Sequence, residues 1–323
     1  MLPKNNTLFS LNAITSEQPS AHYSNSFVSL YTQIKTYYDL IEDANKSENT
    51  KAFPSSSSEI FNDILEIIRT TNILDLVEIL NVLHVGENKT VITDCVRVLK
   101  GGFSGNSVCH YISFQNELIY NNLNEIRYDF MCLEMDINRI HLQDDLNLYI
   151  LNLLQVLMVI LKYQIKGGYC IIKVYDTVHK PIIEFVHILC SIYSKVFIIK
   201  PKSSDSVTMV KYIVCKNFLL SSENKILYKE QYFKIAEFIS NYSTLKIKTN
   251  ITKLINEELP YYFINKMDDI NIILGQQQLE YMNNIINLEK NNTKQTKKSN
   301  TMKNNFNKFL DTKKNIFLQP KTT

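Results

Sequence analysis

Two places in this chain of 323 residues join chemically able side chains to backbone that lets a ligand come close. Only seven glycines occur, and four of them form two pairs, Gly101-Gly102 and Gly167-Gly168. Glycine permits tight turns and close backbone approach, so both pairs are places to look for a ligand. Phe103 and Ser104 follow the first pair, and the second opens the strand-like run Tyr169 to Ile172, closed by Lys173. A carboxylate, Glu134, follows another short apolar run, Phe130 to Leu133. Taken alone, Lys173 reads as a strand-end cation reaching solvent and Glu134 as a surface acid. His84, His110, His141, His179 and His187 share no metal-ligand spacing, so no metal is expected.

The elements that must carry these residues are read from periodicity. Phe27 to Ile41 repeats at helical spacing behind Ser24 and Ser26, Asp43 to Glu59 with its serine run reads as a linker, and Ile60 to Arg69 is a second helix. From Asn72 the pattern alternates: helix Ile73 to Leu83, strand Thr90 to Val98, then the Gly101-Gly102 break. Tyr111 to Phe114 and Phe130 to Leu133 are short strands, Leu146 to Tyr163 a long helix, and Tyr169 to Tyr175 a strand apolar enough to be central. Thr177 to Tyr193 is a helix, followed by strands Val196 to Ile199 and Val207 to Cys215, which share only a loop and so must be antiparallel. The expected fold is α/β: a mostly parallel sheet covered on both faces and ending in an antiparallel hairpin. Helices Tyr228 to Tyr242 and Tyr261 to Leu288 lie outside that sheet, and the first twenty-odd residues are polar and unpatterned.

Composition narrows the function classes. At 45% hydrophobic the chain can build a core, which excludes general disorder. Six cysteines lie far apart with no CxxC pair and no charged-then-apolar leader opens the chain, so a reducing cytoplasmic or nuclear compartment is expected, not secretion. Leu146 to Leu161 carries Asn147, Asn152 and Gln155 and falls short of the roughly 20 apolar residues a bilayer requires, so a buried helix and no membrane partner are expected. From Lys290 onward nine lysines face the single acid Asp311, a surplus of eight; with +3 overall, the preceding body holds −5. Such a tail is either a solvated segment or an electrostatic arm for RNA or another anion.

The run from Gly167 through Lys173 to Asp176, then Val196 to Ser204 with its Lys200-Pro201 turn, then Lys211 to Lys216, resembles the C-terminal half of FtsJ-like ribose 2′-O-methyltransferases, and most of all the cap-specific ones. The resemblance covers Asn72 to Phe218. It implies a Rossmann-like methyltransferase fold, S-adenosylmethionine as cofactor, and attack of a ribose hydroxyl on its methyl group. Such chemistry needs an alcohol made more nucleophilic and held in line with a sulfonium. The family does this with a lysine-aspartate-lysine-glutamate tetrad whose members set one another's ionisation. By resemblance the four positions fall here on Asp75, Glu134, Lys173 and Val210, so one lysine is retained, the aspartate is one methylene longer, and two members are replaced. The cofactor loop falls on Gly101, Gly102, Phe103 and Ser104, with Lys100 where the family has proline.

The resemblance divides the chain into an N-terminal helical extension over 1–70, the methyltransferase domain over 71–220, a C-terminal helical region over 221–288 and the basic tail over 289–323. Three readings follow. In the first, the tetrad has decayed and the protein binds RNA, capped mRNA included, or supports a catalytic capping subunit. In the second, it is an active cap ribose 2′-O-methyltransferase using Lys173. In the third, it is a non-enzymatic interaction module whose helices dock a partner.

Overall fold

The computed structural model describes residues 1–5, 9–21, 107–112, 128–135, 146–175, 177–201, 210–221, 225–244 and 249–290, with positions 29, 32, 33, 36, 75 and 79 besides. Among the described residues five strands form the main sheet: β2 (Ser107–Ile112), β3 (Tyr128–Met135), β4 (Gln164–Val174), β5 (Tyr193–Ile199) and β6 (Lys211–Phe218), in the spatial order β2-β3-β4-β6-β5. β2 with β3 and β3 with β4 are parallel, while β6 runs antiparallel to both β4 and β5. The hairpin expected from the short loop is therefore present. The expectation of a mostly parallel sheet is corrected to a mixed one, because β6 inserts between β4 and β5 and reverses direction against each. The expected strand Thr90 to Val98 and the linker lie outside the described residues.

Strand alternation sorts the sheet into two faces. Met131, Leu133, Cys170, Ile172, Val174, Ile213 and Cys215 point to one face, into a large core shared with α1 (Leu146–Tyr163) and α2 (Lys180–Ile192). Phe130, Cys132, Ile171, Val210, Tyr212 and Val214 point to the other, where the buried helical residue Ile79 packs on them. Of the described helices, α1 alone has the length and apolarity to cross a membrane, and 72% of it is buried inside the molecule. One of its polar positions ties it to the small sheet: Asn147 Oδ1 accepts from the Ile251 amide at 2.8 Å. Pro181 starts α2, where its missing N–H costs nothing.

A second, two-stranded sheet lies outside α2. β1 (Leu11–Ser16) pairs antiparallel with β7 (Asn250–Ile255), from Leu11 opposite Ile255 to Ser16 opposite Asn250. The amides of Leu254 and Ile255 both donate to the buried Glu184 carboxylate of α2, at 2.5 and 3.4 Å. Further upstream the chain lies against the main sheet, where the Leu2 amide donates to Val196 O of the edge strand β5 at 2.8 Å. Two more helices follow among the described residues, α3 (Lys225–Thr244) and the long α4 (Tyr261–Lys290).

Candidate functional site

Lys173 sits near the carboxyl end of β4 and is 8% exposed. Its register partner across the antiparallel pairing is Tyr212 of β6. The Tyr212 hydroxyl donates to Asp75 Oδ2 at 2.9 Å, and both residues are buried. Asp75 and Ile79 are helical positions one turn apart, so Ile79 packing on the sheet brings the Asp75 carboxylate over the same face. Lys173 Nζ also stands 5.8 Å from the ring centroid of Tyr175. Amine, phenol and carboxylate thus occupy one end of one sheet face, the end at which open α/β sheets hold their ligands.

The other positions expected from the sequence fall as follows. Val210 lies just before β6, is buried, and packs with Ile79, Phe130 and Tyr212. Glu134 is in β3, opposite Tyr111 of β2 and one step beyond the Leu133 to Ile172 pairing, so its backbone is level with Lys173. Gly101, Gly102, Phe103 and Ser104, the expected cofactor loop, lie outside the described residues. No group of three or more His, Cys, Asp or Glu among the described residues is placed to hold a metal ion.

A second polar cluster flanks this end of the sheet. Lys211, 7% exposed, donates from Nζ to Thr177 Oγ1 at 3.2 Å. Thr177 Oγ1 in turn donates to Asn271 Oδ1 at 2.6 Å, and Asn271 Nδ2 donates to the Thr177 carbonyl at 2.8 Å. Asn271 belongs to α4, so this cluster ties the C-terminal helix to the segment that leaves β4 just beyond Lys173. Sequence reasoning missed Thr177, Lys211, Tyr212 and Asn271 as site residues. Tyr212 was within reach, as the tyrosine two places after the position of the tetrad glutamate. Asn271 has no such signal, since it reads as one polar residue on an amphipathic helix.

This geometry, a parallel β3-β4 pair, a lysine near the end of β4 and an inserted antiparallel last strand, meets an independent comparison of the sequence with protein families. Residues 68–218 match the FtsJ-like methyltransferase family. That stretch is just under half of the chain and contains Asp75, Glu134, Lys173 and Val210 together with all five strands of the main sheet. Methyltransferases of the FtsJ-like family use S-adenosylmethionine. The chain is also similar to cap-specific mRNA (nucleoside-2′-O-)-methyltransferase 1 of Leishmania braziliensis, at 28% identity over 128 residues. The similar segment is 39% of this chain and 31% of that protein, so the chain spans about a third of the curated relative it matches. Within that segment the Tyr212 to Asp75 bond is buried and lies on the strand that pairs with β4.

Proposed function

We propose that the chain is an FtsJ-like, methyltransferase-fold protein of mRNA capping that no longer transfers methyl itself and acts by binding RNA or stabilising a catalytic capping subunit. The observation that carries this reading is the buried Asp75 carboxylate, engaged by Tyr212 directly across from Lys173. In the tetrad two cations balance two anions. The corresponding positions here hold two carboxylates, Asp75 and Glu134, one amine, Lys173, and the apolar Val210. An oxygen losing its proton develops negative charge in the transition state, and catalysis requires donors and cations aimed at it. Exchanging a cation for a buried carboxylate works against that charge, and an interior of low dielectric magnifies the effect.

The test is methyl transfer from isotopically labelled S-adenosylmethionine to capped RNA, with the full chain alone and with Lys173→Ala beside it. The expected result is no transfer above background by either protein. Transfer by the wild type that Lys173→Ala abolishes would overturn the reading in favour of an active 2′-O-methyltransferase. Calorimetric titration with S-adenosylmethionine and S-adenosylhomocysteine, with Gly102→Asp as control, separates a chain that keeps the cofactor from one that has lost it.

A further inference from the structure

At the amino end of β4, away from Lys173, the sheet carries a patch that the proposed function does not use. Lys195 of β5 and Lys216 of β6 are register partners on antiparallel strands. Side chains so placed have Cβ atoms about 4.5–5.5 Å apart, and like charges there repel. Lys216 Nζ stands 5.9 Å from the ring centroid of Tyr169, the first of the regularly paired residues of β4. Lys195 is exposed, and Lys216 and Tyr169 are half-buried. Partial burial, and then the charge of Lys195, draws the Lys216 amine below the ordinary lysine range.

The backbone around these side chains is also irregular. Asn217, next to Lys216, has φ of 58°, a left-handed conformation inside a strand. On the other side of Tyr169 the β3-β4 ladder jumps from Tyr128 opposite Gln164 to Phe130 opposite Tyr169, so residues 165–168 bulge out of register. Gly167 in that bulge has φ of 83°, is exposed, and nothing lies within 4 Å of where a Cβ would stand. Facing amines, a left-handed asparagine and an open bulge meet in one patch, and none of them improves the core. Local costs of this kind concentrate where a ligand is bound.

We propose that this patch binds the backbone of single-stranded RNA, with a phosphate between Lys195 and Lys216 and the strand lying along the open Gly167 bulge beside Tyr169. An anion between the lysines turns their repulsion into attraction for both. Amines hold phosphate as point charges, and an aromatic ring next to them suits a flexible strand with stackable bases better than an acidic peptide. The inference takes from the proposed function only that RNA is the ligand, and cofactor titration and methyl transfer do not read this end of the sheet.

The test uses the full chain and short fluorescein-labelled single-stranded RNA, with anisotropy titrations over a range of potassium chloride concentrations. For Lys195→Ala/Lys216→Ala the expected result is binding weakened several-fold and a slope of log K against log salt shallower by about 0.7, since the one phosphate held between the two amines is one single-strand phosphate contact. Tyr169→Leu weakens binding with the slope kept, and Lys234→Ala on α3 changes neither. Removal of the facing charges leaves the melting temperature at or above that of the wild type, so weakened binding is separable from unfolding. Lys195→Glu, at an exposed position, weakens RNA binding at least as much as the double variant. An unchanged salt slope in the double variant overturns the proposal. So does poly-glutamate displacing the RNA as well as unlabelled RNA does, which would assign the patch to an acidic protein.

Discussion

Tyr212 does at one position what the family match alone does not specify: it satisfies a buried acid. Tyr212→Phe leaves the Asp75 carboxylate without that donor, and the expected cost is about 1–3 kcal/mol, seen as a lower midpoint in urea unfolding. Two titratable groups on α2 set opposite pH limits. Burial pushes the Glu184 carboxyl above the ordinary carboxylate range despite the amides of Leu254 and Ile255, and Oε1 has no hydrogen-bond partner among the described residues. An acid raised in the folded state stabilises fully below its unfolded pKa and loses that contribution as pH rises through its folded value. Glu184→Gln keeps an acceptor for Leu254, so it should flatten this loss and raise the melting temperature at neutral pH. His187, packed edge-on against Phe263 at 4.8 Å, is pulled down to about 4 by burial. A histidine depressed in this way contributes stability present above its unfolded pKa and lost as pH falls through about 4. Melting curves between pH 7 and about 4 should fall steeply for the wild type and less so for His187→Phe, a difference of about 3 kcal/mol at the acid end. Motif spacing reaches Lys173 and Val210 in the sequence. Their surroundings were not legible there, because the partner of Asp75 comes from a strand 137 positions away in the chain.

Among the elements, α1 was legible to the residue, from Leu146 to Tyr163, because an apolar run of that length leaves few alternatives. The strands of the main sheet were found with shifted ends: β6 ends at Phe218, not at Cys215. β1 and β7 were missed, since only Leu11 of β1 is buried and no alternation reveals a strand whose partner lies at Asn250 to Ile255. The insertion of β6 between β4 and β5 was also invisible, because a short loop fixes direction but not which neighbour the returning strand takes. The tether of α4 makes a prediction at this scale. Asn271→Ala removes both bonds to Thr177, so α4 should exchange its amide hydrogens faster while the β3 and β4 amides stay protected. An expected stability loss of about 1–3 kcal/mol accompanies it, and Thr177→Val should reproduce part of the effect.

Across the whole molecule the charges are unevenly distributed. Removing residues 291–323 takes away eight lysines and Asp311 and changes the net charge from +3 to −4. RNA affinity at low salt should therefore drop in the shortened protein, and the part of the salt slope contributed by Lys195 and Lys216 should persist, which the same anisotropy titration measures. The path of the first residues bears on how the molecule is made. Leu2, Phe9 and Leu11 are core residues, yet their partners lie late in the chain: Leu11 accepts Ile255 as strand neighbour and donates its amide to Gln231, 220 positions on. On the ribosome β1 must therefore wait, without its strand partner, until Ile255 has emerged. Synthesis leaves a long interval in which these residues are available to chaperones or to other nascent chains, and the small sheet closes late in folding.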